Sequence, residues 1–337
     1  MLAPSTRYRK TICRKMFQFK SARLSGLFLL LGCATAGTPG ARDATGGLSG
    51  ANNMTTSDSA LANNGNVNTG GASAATGGTL VGGTTDVATG SVIIKADFQQ
   101  RTPATYSESM VTGDFGKDGG WNNGLDQGRA SIVDEDGNRF LRVTYVGGAY
   151  GPDDGGVQFK VPFGIAYDEL YLAYRIRFAV NFDFVKGGKV PGLVGGTAPT
   201  GCVSDNGGFS ARGMWRPGGA AVQYVYYPEK VNTCGDDFAY AVGATAISFS
   251  PGVWHTVEHH VRMNNAGQHD GVLEAWFDGQ QVLSNSAFLY RIVGATFGID
   301  TLYFSTFFGG SDTTWAPAAD QVADFDDFMV STVRINP

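Results

Sequence analysis

Short runs in which apolar and polar residues alternate are the feature that most restricts the folds open to this chain. Apolar side chains occupy every second position from Leu170 to Phe178, which is the pattern of a strand with one buried face. Asp-Gly and Pro-Gly-Gly sequences separate several of these runs and are typical of tight turns. Similar runs occupy residues 140–145, 209–216, 222–227, 253–263, 272–277, 301–307 and 328–333.

The size of the patterned region indicates what these strands build. Glycine contributes 49 of the 337 residues and charged residues only 16%, so coiled coils and helical arrays are excluded. Hydrophobic residues make up 42% of the chain, enough for a large core. Residues 91–337 therefore predict one all-β domain, a β-sandwich of the jelly-roll type with a concave substrate-binding sheet.

The first 33 residues have the layout of a signal peptide. Seven basic residues and no acidic residue precede position 33, and an apolar run too short to span a bilayer occupies residues 24–31. The sequence Leu30-Leu31-Gly32-Cys33 resembles a bacterial lipobox, in which Cys33 would carry the lipid. The alternative is cleavage after Ala36, which would release a soluble protein. Both readings predict export.

Residues 34–90 consist mainly of Gly, Ser, Thr, Ala and Asn. Such a segment buries too little apolar surface to offset its ordering entropy, so we predict a flexible tether. Together with the lipobox, this tether predicts a lipoprotein attached to the outer membrane. The lipid anchor would be its only contact with the membrane. Otherwise the domain would be secreted or periplasmic.

The charge of the chain limits its partners. The formal net charge is −5, and without the seven basic residues of the leader 18 basic residues face 30 acidic ones. Nucleic acid is therefore excluded as a partner, because phosphate binding needs a basic face. An anionic ligand would have to be held by a local cluster of cations.

Two cysteines in the predicted domain, Cys202 and Cys234, enclose the most informative segment. In an exported protein such a pair predicts a disulfide, with two buried thiols as the alternative. It would close a loop of 32 residues, which stabilises the fold by about 3 to 4 kcal/mol in the chain-entropy model.

Between these cysteines lies a predicted hairpin with polar residues on one face. A turn centred on Gly218 places Arg212 opposite Tyr224 and Ser210 opposite Tyr226, and residues two apart on a strand share a face. A hydroxyl, a guanidinium and two phenols are too polar for a core and fit a ligand-binding sheet. The alternative is ordinary aromatic packing with Arg212 as a surface cation, and a one-residue slip would remove the pairing.

Other chemistries fit the sequence less well. His255 and His259 stand too far apart on one strand for a metal site, and the Glu residues are too scattered for a glycosidase pair. Asp324 and Asp326, together with Asp97, could hold a structural calcium ion. A solvated acidic loop is the alternative there.

These residues lead to a family resemblance that covers most of residues 91–337. The chain resembles polysaccharide lyase family 14, jelly-roll enzymes that include alginate and glucuronan lyases. The resemblance rests on a K-G-G-K-x-P-G-L run, on S-x-R and Y-x-Y strands, and on residues 254–264 and 304–315. It implies an active site formed by Lys189, Ser210, Arg212, Tyr224 and Tyr226.

The implied reaction is β-elimination on a 1,4-linked polyuronate such as alginate or glucuronan, giving 4,5-unsaturated ends. It needs cations for the substrate carboxylate, a base for the C5 proton and an acid for O4. We expect Arg212 and Lys189 to supply the cations and to lower the pKa of Tyr224, the leading base and acid candidate, with Tyr226 sharing that role or orienting the sugar. Lys189 is predicted in a glycine-rich loop, and no cofactor is required.

Three further residues are predicted to bind substrate: Lys186, Arg216 and Gln223. The lysine and the arginine would make the groove locally basic in an acidic protein. The alternative function is a non-catalytic carbohydrate-binding module of the same fold, since binding alone would also use cations and aromatic rings. A glycoside hydrolase is disfavoured by the absence of a carboxylate pair.

Overall fold

The computed structural model describes residues 90–337. The predicted signal peptide, its Cys33 and residues 34–89 of the predicted tether lie outside the described residues. Within the described range, no helix is both long and apolar enough to cross a membrane.

Strands dominate the described part of the chain, with two short helices, α1 (Glu108–Phe115) and α2 (Gly151–Asp154). Two single turns of 3₁₀-helix lie at Pro217–Gly219 and Thr313–Trp315. In chain order the strands are β1 (Val92–Ala96), β2 (Ala104–Thr105), β3 (Ala130–Glu135), β4 (Asn138–Tyr145), β5 (Gly156–Tyr167), β6 (Glu169–Phe178), β7 (Gly188–Gly196), β8 (Gly208–Trp215), β9 (Ala221–Tyr226), β10 (Asp236–Ala239), β11 (Ala241–Val242), β12 (Thr245–Ala246), β13 (His255–Arg262), β14 (Gly271–Phe277), β15 (Gln280–Phe288), β16 (Ile299–Phe308) and β17 (Gln321–Ser331).

The strands form two large antiparallel sheets that pack face to face. The nine-stranded sheet has the order β15-β14-β13-β6-β17-β4-β3-β2, with β1 paired to β17, and the six-stranded sheet has the order β10-β9-β8-β7-β16-β5. Their facing side chains form one continuous apolar core. The predicted all-β jelly-roll sandwich is confirmed.

The alternation read from the sequence matches the observed burial. From Leu170 to Phe178 in β6, the apolar positions are almost completely buried in the core, as predicted. The hairpin of β8 and β9 has the predicted register, because Arg212 pairs with Tyr224 and Ser210 with Tyr226.

Strand β7 corrects the expectation that Lys189 lies in a glycine-rich loop. Residues 188–196 pair with both β8 and β16 at the centre of the six-stranded sheet. Glycine weakens a strand, so the sequence favoured a loop here. It is tolerated because neighbouring backbone lies too close for side chains, as at Gly192, where a Cβ would be 2.2 Å from the carbonyl oxygen of Ala211.

The predicted calcium site is wrong, and the alternative prediction of a solvated acidic loop is also wrong. Asp324 and Asp326 lie on strand β17 and are buried. Asp324 accepts hydrogen bonds from Arg142 at 2.7 Å and from Arg177 at 2.8 Å, so guanidinium groups already neutralise it. Asp97 instead pairs with a neighbouring lysine. Residues 90–337 contain no group of three His, Cys, Asp or Glu side chains placed to hold a metal ion.

Candidate active site

A cleft of about 1140 Å³ lies on the face of the six-stranded sheet that is turned away from the core. Four of the predicted catalytic side chains line it, from three neighbouring strands: Lys189 from β7, Arg212 from β8, and Tyr224 and Tyr226 from β9. They meet because strand alternation sends Arg212 to this face while Ala211 and other side chains of β8 enter the core.

A β-bulge in β7 brings Lys189 to the same face. The pairing between β7 and β8 shifts between Val190 and Gly192, so Lys189 lies opposite Met214 and Gly192 opposite Arg212. The extra residue at the bulge is Pro191, which lacks an N–H group for the ladder. Lys189 and Gly192 therefore both face the cleft, although they are three positions apart.

Arg212 is a buried cation without a carboxylate partner. It is 2% exposed, and its Nη1 donates to Ser305 Oγ at 3.2 Å. Its Nε has no hydrogen-bond partner, and no acidic side chain of the described chain lies within the 4.0 Å of a salt bridge. The guanidinium lies 5.3 Å from the ring centroid of Tyr303. A buried cation left in this state is suited to an incoming anion.

Lys189 is also buried, and its surroundings disfavour its charge. Its Nζ contacts the sulfur of Met214 at 2.9 Å and lies 4.0 Å from the ring centroid of Tyr224. Burial holds the pKa of Lys189 far below its ordinary value, and the positive charges of Arg212 and Arg216 lower it further. The described residues place no carboxylate within salt-bridge distance of it. These surroundings favour the neutral amine, which can accept a proton, and this corrects the expectation that Lys189 supplies a cation.

The disulfide positions the two phenols of β9. The predicted bond between Cys202 and Cys234 is confirmed. The backbone N–H of Cys202 donates to the Tyr226 oxygen at 3.0 Å, and that of Gly235 to the Tyr224 oxygen at 2.9 Å. Both donors are at or beside the bridged residues, so the disulfide fixes the loops that orient the phenols.

The expectation that nearby cations lower the pKa of Tyr224 is corrected. Burial raises its pKa above the ordinary value, and the adjacent Tyr226 raises it further. The hydrogen bond from Gly235 and the charge of Arg212 act in the opposite direction but are smaller. Tyr224 therefore keeps its proton, because loss of solvation outweighs the nearby cation.

The remaining predicted residues occupy different places. Arg216 lines the cleft, 5.5 Å from the Tyr224 ring centroid, and is held by two hydrogen bonds to Asp237 at 2.6 and 2.7 Å. Lys186 is exposed outside the cleft and donates to Thr314.

Ser210 and Gln223 are both fully buried and are not part of the cleft lining. Ser210 Oγ donates to the carbonyl oxygen of Pro199 at 2.8 Å. The Gln223 amide donates to the Ala211 carbonyl oxygen, and its own oxygen accepts from Tyr240. The prediction that Gln223 binds substrate is corrected, because its position in β9 points it away from the face that carries Tyr224.

The family assignment follows from comparison with known proteins. The sequence profile described as Polysaccharide lyase 14 matches residues 133–328. The chain belongs to polysaccharide lyase family 14. It is therefore a lyase, as the resemblance implied, and residues 133–328 include every side chain of the site described above. The lyase matches none of the curated protein sequences.

Solved structures of alginate lyases resemble this lyase. Alginate lyase Aly36B is 26% identical, with a TM-score of 0.63, over 72% of this chain and 97% of that chain. Its double mutant in complex with alginate tetrasaccharide is 27% identical, with a TM-score of 0.62, over the same shares. The marine alginate lyase from Aplysia kurodai is 25% identical, with a TM-score of 0.61, over 72% of this chain and 100% of that chain.

Met214, Tyr303 and Ser305 belong to the site of this lyase and were not predicted as site residues from the sequence. Met214 follows Arg212 by two positions on β8, so the alternation could have found it. Tyr303 lies in a predicted strand, but its contact with Arg212 crosses the sheet between residues 91 positions apart. Only the order of the strands reveals that contact.

Proposed function

We propose that this lyase cleaves alginate by β-elimination and leaves 4,5-unsaturated uronate ends. One observation carries the proposal: the Arg212 guanidinium is buried beside the Lys189 amine and the phenols of β9, and no acidic side chain of the described residues is close enough to neutralise it. A polyuronate supplies the carboxylate that this site lacks. The alginate lyases of similar structure support alginate as the polymer.

Arg212 is the group that binds the substrate carboxylate in this proposal. A proton next to a charged carboxylate is weakly acidic until the developing negative charge is stabilised. A guanidinium can do this with a pair of parallel hydrogen bonds. The contact to Ser305 and the ring of Tyr303 hold Arg212 in place before substrate arrives.

The directions of two pKa shifts support the two proton-transfer roles. Burial favours the neutral amine of Lys189, so in this proposal its Nζ takes the C5 proton, and it favours the protonated phenol of Tyr224, which donates to the departing O4. The C5–H electron pair forms the new double bond as the bond from C4 to O4 breaks. Nζ stands 4.0 Å from the Tyr224 ring centroid, so one sugar can contact both groups. Tyr226 lines the cleft beside Tyr224 and orients the sugar.

The test uses purified protein with polymannuronate, polyguluronate and glucuronan supplied separately. Ultraviolet absorbance reports unsaturated ends, which a hydrolase or a binding module does not produce. We expect a rise on an alginate polymer that is lost in Tyr224→Phe and in Arg212→Ala. Tyr171→Phe is the matched control, because this partly exposed phenol lies on the opposite sheet and stacks on His260.

Three outcomes would contradict the proposal. New reducing ends without absorbance would indicate a hydrolase. Binding without any product would indicate a carbohydrate-binding module. A rise in absorbance on glucuronan alone would support β-elimination but show that the substrate is glucuronan and not alginate.

We also propose export of the lyase and its attachment to a membrane through a lipid on Cys33, followed by the tether of residues 34–90. The leader sequence supports this proposal. Cys33→Ala should move the full-length protein from the membrane fraction to the soluble fraction of the producing cell. A wild-type protein found only in the soluble fraction would contradict the anchor.

A further inference from the structure

The cleft continues beyond the proposed catalytic residues along a row of lateral neighbours. Backbone pairing aligns one residue from each of five adjacent strands, β9, β8, β7, β16 and β5: Tyr224, Arg212, Gly192, Tyr303 and Lys160. Lateral neighbours in a sheet share a face. Phenols and cations therefore extend across the sheet, at right angles to its strands.

Gly192 keeps this row continuous. A Cβ at this position would come within 2.4 Å of the Arg212 Cα atom. Because no side chain stands between them, the guanidinium of Arg212 reaches to 5.3 Å from the Tyr303 ring centroid, across one intervening strand. The central site and the β5 end of the sheet are therefore parts of the same cleft.

At the β5 end, Trp121 is held in an unfavourable and exposed conformation. Its φ is +63°, which bulky side chains rarely adopt, and its side chain is 51% exposed. Two backbone hydrogen bonds attach the preceding segment to β5, from Gly119 to Lys160 and from Lys160 to Gly120. The result is an indole ring presented to the cleft on a fixed backbone.

Two donors at this end of the cleft lack acceptors among the described residues. Lys160 Nζ lies 4.0 Å from the Trp121 ring centroid and 5.4 Å from that of Tyr303, and no carboxylate of the described residues is within salt-bridge distance. Gln158 lines the cleft, and its oxygen accepts from Tyr303 at 2.6 Å, which leaves its amide N–H groups for another partner. Asp153, which also lines the cleft, accepts a hydrogen bond from the Asn123 amide.

We propose that Trp121, Gln158 and Lys160 form a second sugar-binding subsite, which holds a uronate unit of the polymer away from the bond that is cut. This inference rests on the proposed function for the class of ligand. Lys160 is three strands from Arg212, roughly 14 Å at the usual strand spacing. The indole takes the apolar face of the sugar ring, and Lys160 and Gln158 interact with its carboxylate and hydroxyl groups. Trp121 precedes the residues that match the family profile, so the subsite extends beyond that pattern.

The first test is the dependence of kcat/KM on oligosaccharide length. Trp121→Ala should lower kcat/KM about tenfold on polymer and on oligouronates long enough to reach β5, with a much smaller loss on the shortest cleaved substrate. The matched control is Trp254→Ala, since Trp254 also stacks on cations, Arg175 and Arg177, both at 4.8 Å, but these cations lie on β6 of the nine-stranded sheet. Equal losses at every length, or no loss at all, would overturn the subsite.

A binding measurement separates this inference from the proposed reaction. Affinity for uncleaved polyuronate should fall about tenfold in Trp121→Ala, and Lys160→Gln should also lower it and reduce its salt dependence. These losses in a protein that makes no unsaturated product would retain the subsite and overturn the reaction. Cleavage by wild type with unchanged affinity in both variants would overturn the subsite alone. A wild-type protein that neither binds nor cleaves any polyuronate would overturn both.

Discussion

The ion pair between Arg216 and Asp237 should control the pH dependence of this lyase through Lys189. Neutral Lys189 is the proposed base, so kcat/KM should fall on the acid side as this amine becomes protonated. Arg216 lowers the pKa of Lys189, and Asp237 raises it. Removing each charge should therefore move the acid limb of the pH profile in opposite directions.

The size of the effect follows from the positions of the charges. Lys189 and Arg216 stand 4.0 Å and 5.5 Å from the ring centroid of Tyr224, so they are less than about 10 Å apart. Two unit charges at about 9 Å and an effective dielectric constant near 20 interact by about 1.8 kcal/mol. Salt reduces this, because the Arg216 side chain is 23% exposed. We expect Arg216→Ala to move the acid limb to higher pH by about one pH unit.

Asp237→Asn should move the limb to lower pH, because it removes the charge that favours protonated Lys189. The assay is the rate of unsaturated product formation at low substrate concentration across a pH series. Arg216→Ala is also expected to lower the height of the profile, but the position of the limb is the quantity compared. Arg139→Ala and Asp134→Asn are the matched controls, since that pair, at 2.9 Å, belongs to the other sheet. Limbs that stay in place, or that move in the same direction, would refute Lys189 as the base.

Three other predictions concern stability and the disulfide. Burial and Asp327 raise the pKa of Asp326 to about 6, so the free energy of unfolding should fall by up to about 3 kcal/mol as pH rises from 4 to 6. Asp326→Asn should abolish this fall in urea titrations, and an unchanged pH dependence would contradict the raised pKa of Asp326. Burial lowers the pKa of His259 to about 3, and neither ring nitrogen has a hydrogen-bond partner among the described residues. The free energy of unfolding should therefore fall as pH falls from 6.5 to 3. His259→Phe should reduce that loss by up to about 4 kcal/mol, again by urea titration, and equal acid sensitivity would contradict it. Replacing Cys202 and Cys234 by serine should lower the free energy of unfolding by about 3 to 4 kcal/mol and also lower kcat/KM at a temperature where the variant stays folded; full activity there would show that the phenols do not need the bridge.

The hairpin of β8 and β9 is the part of the site that could be predicted from residues close together in the chain. Its turn and its alternation lie within one stretch of sequence, so the pairing of Arg212 with Tyr224 could be predicted from residue numbers and strand geometry. The disulfide was predictable for a similar reason, since the domain offers only one pair of cysteines. Lys189 was placed by the family resemblance, whereas local reading assigned its glycine-rich segment to a loop.

The sequence alone determined the fold class, the buried face of most strands and the hairpin at the centre of the site, because these depend on residues close together in the chain. Tertiary structure decided the remainder. Strand order brings Tyr303 beside Arg212, the bulge at Pro191 turns Lys189 into the cleft, and burial lowers the pKa of that amine and raises the pKa of Tyr224. Burial and strand order depend on residues distant in sequence, and the free energy of a charge depends on everything packed around it.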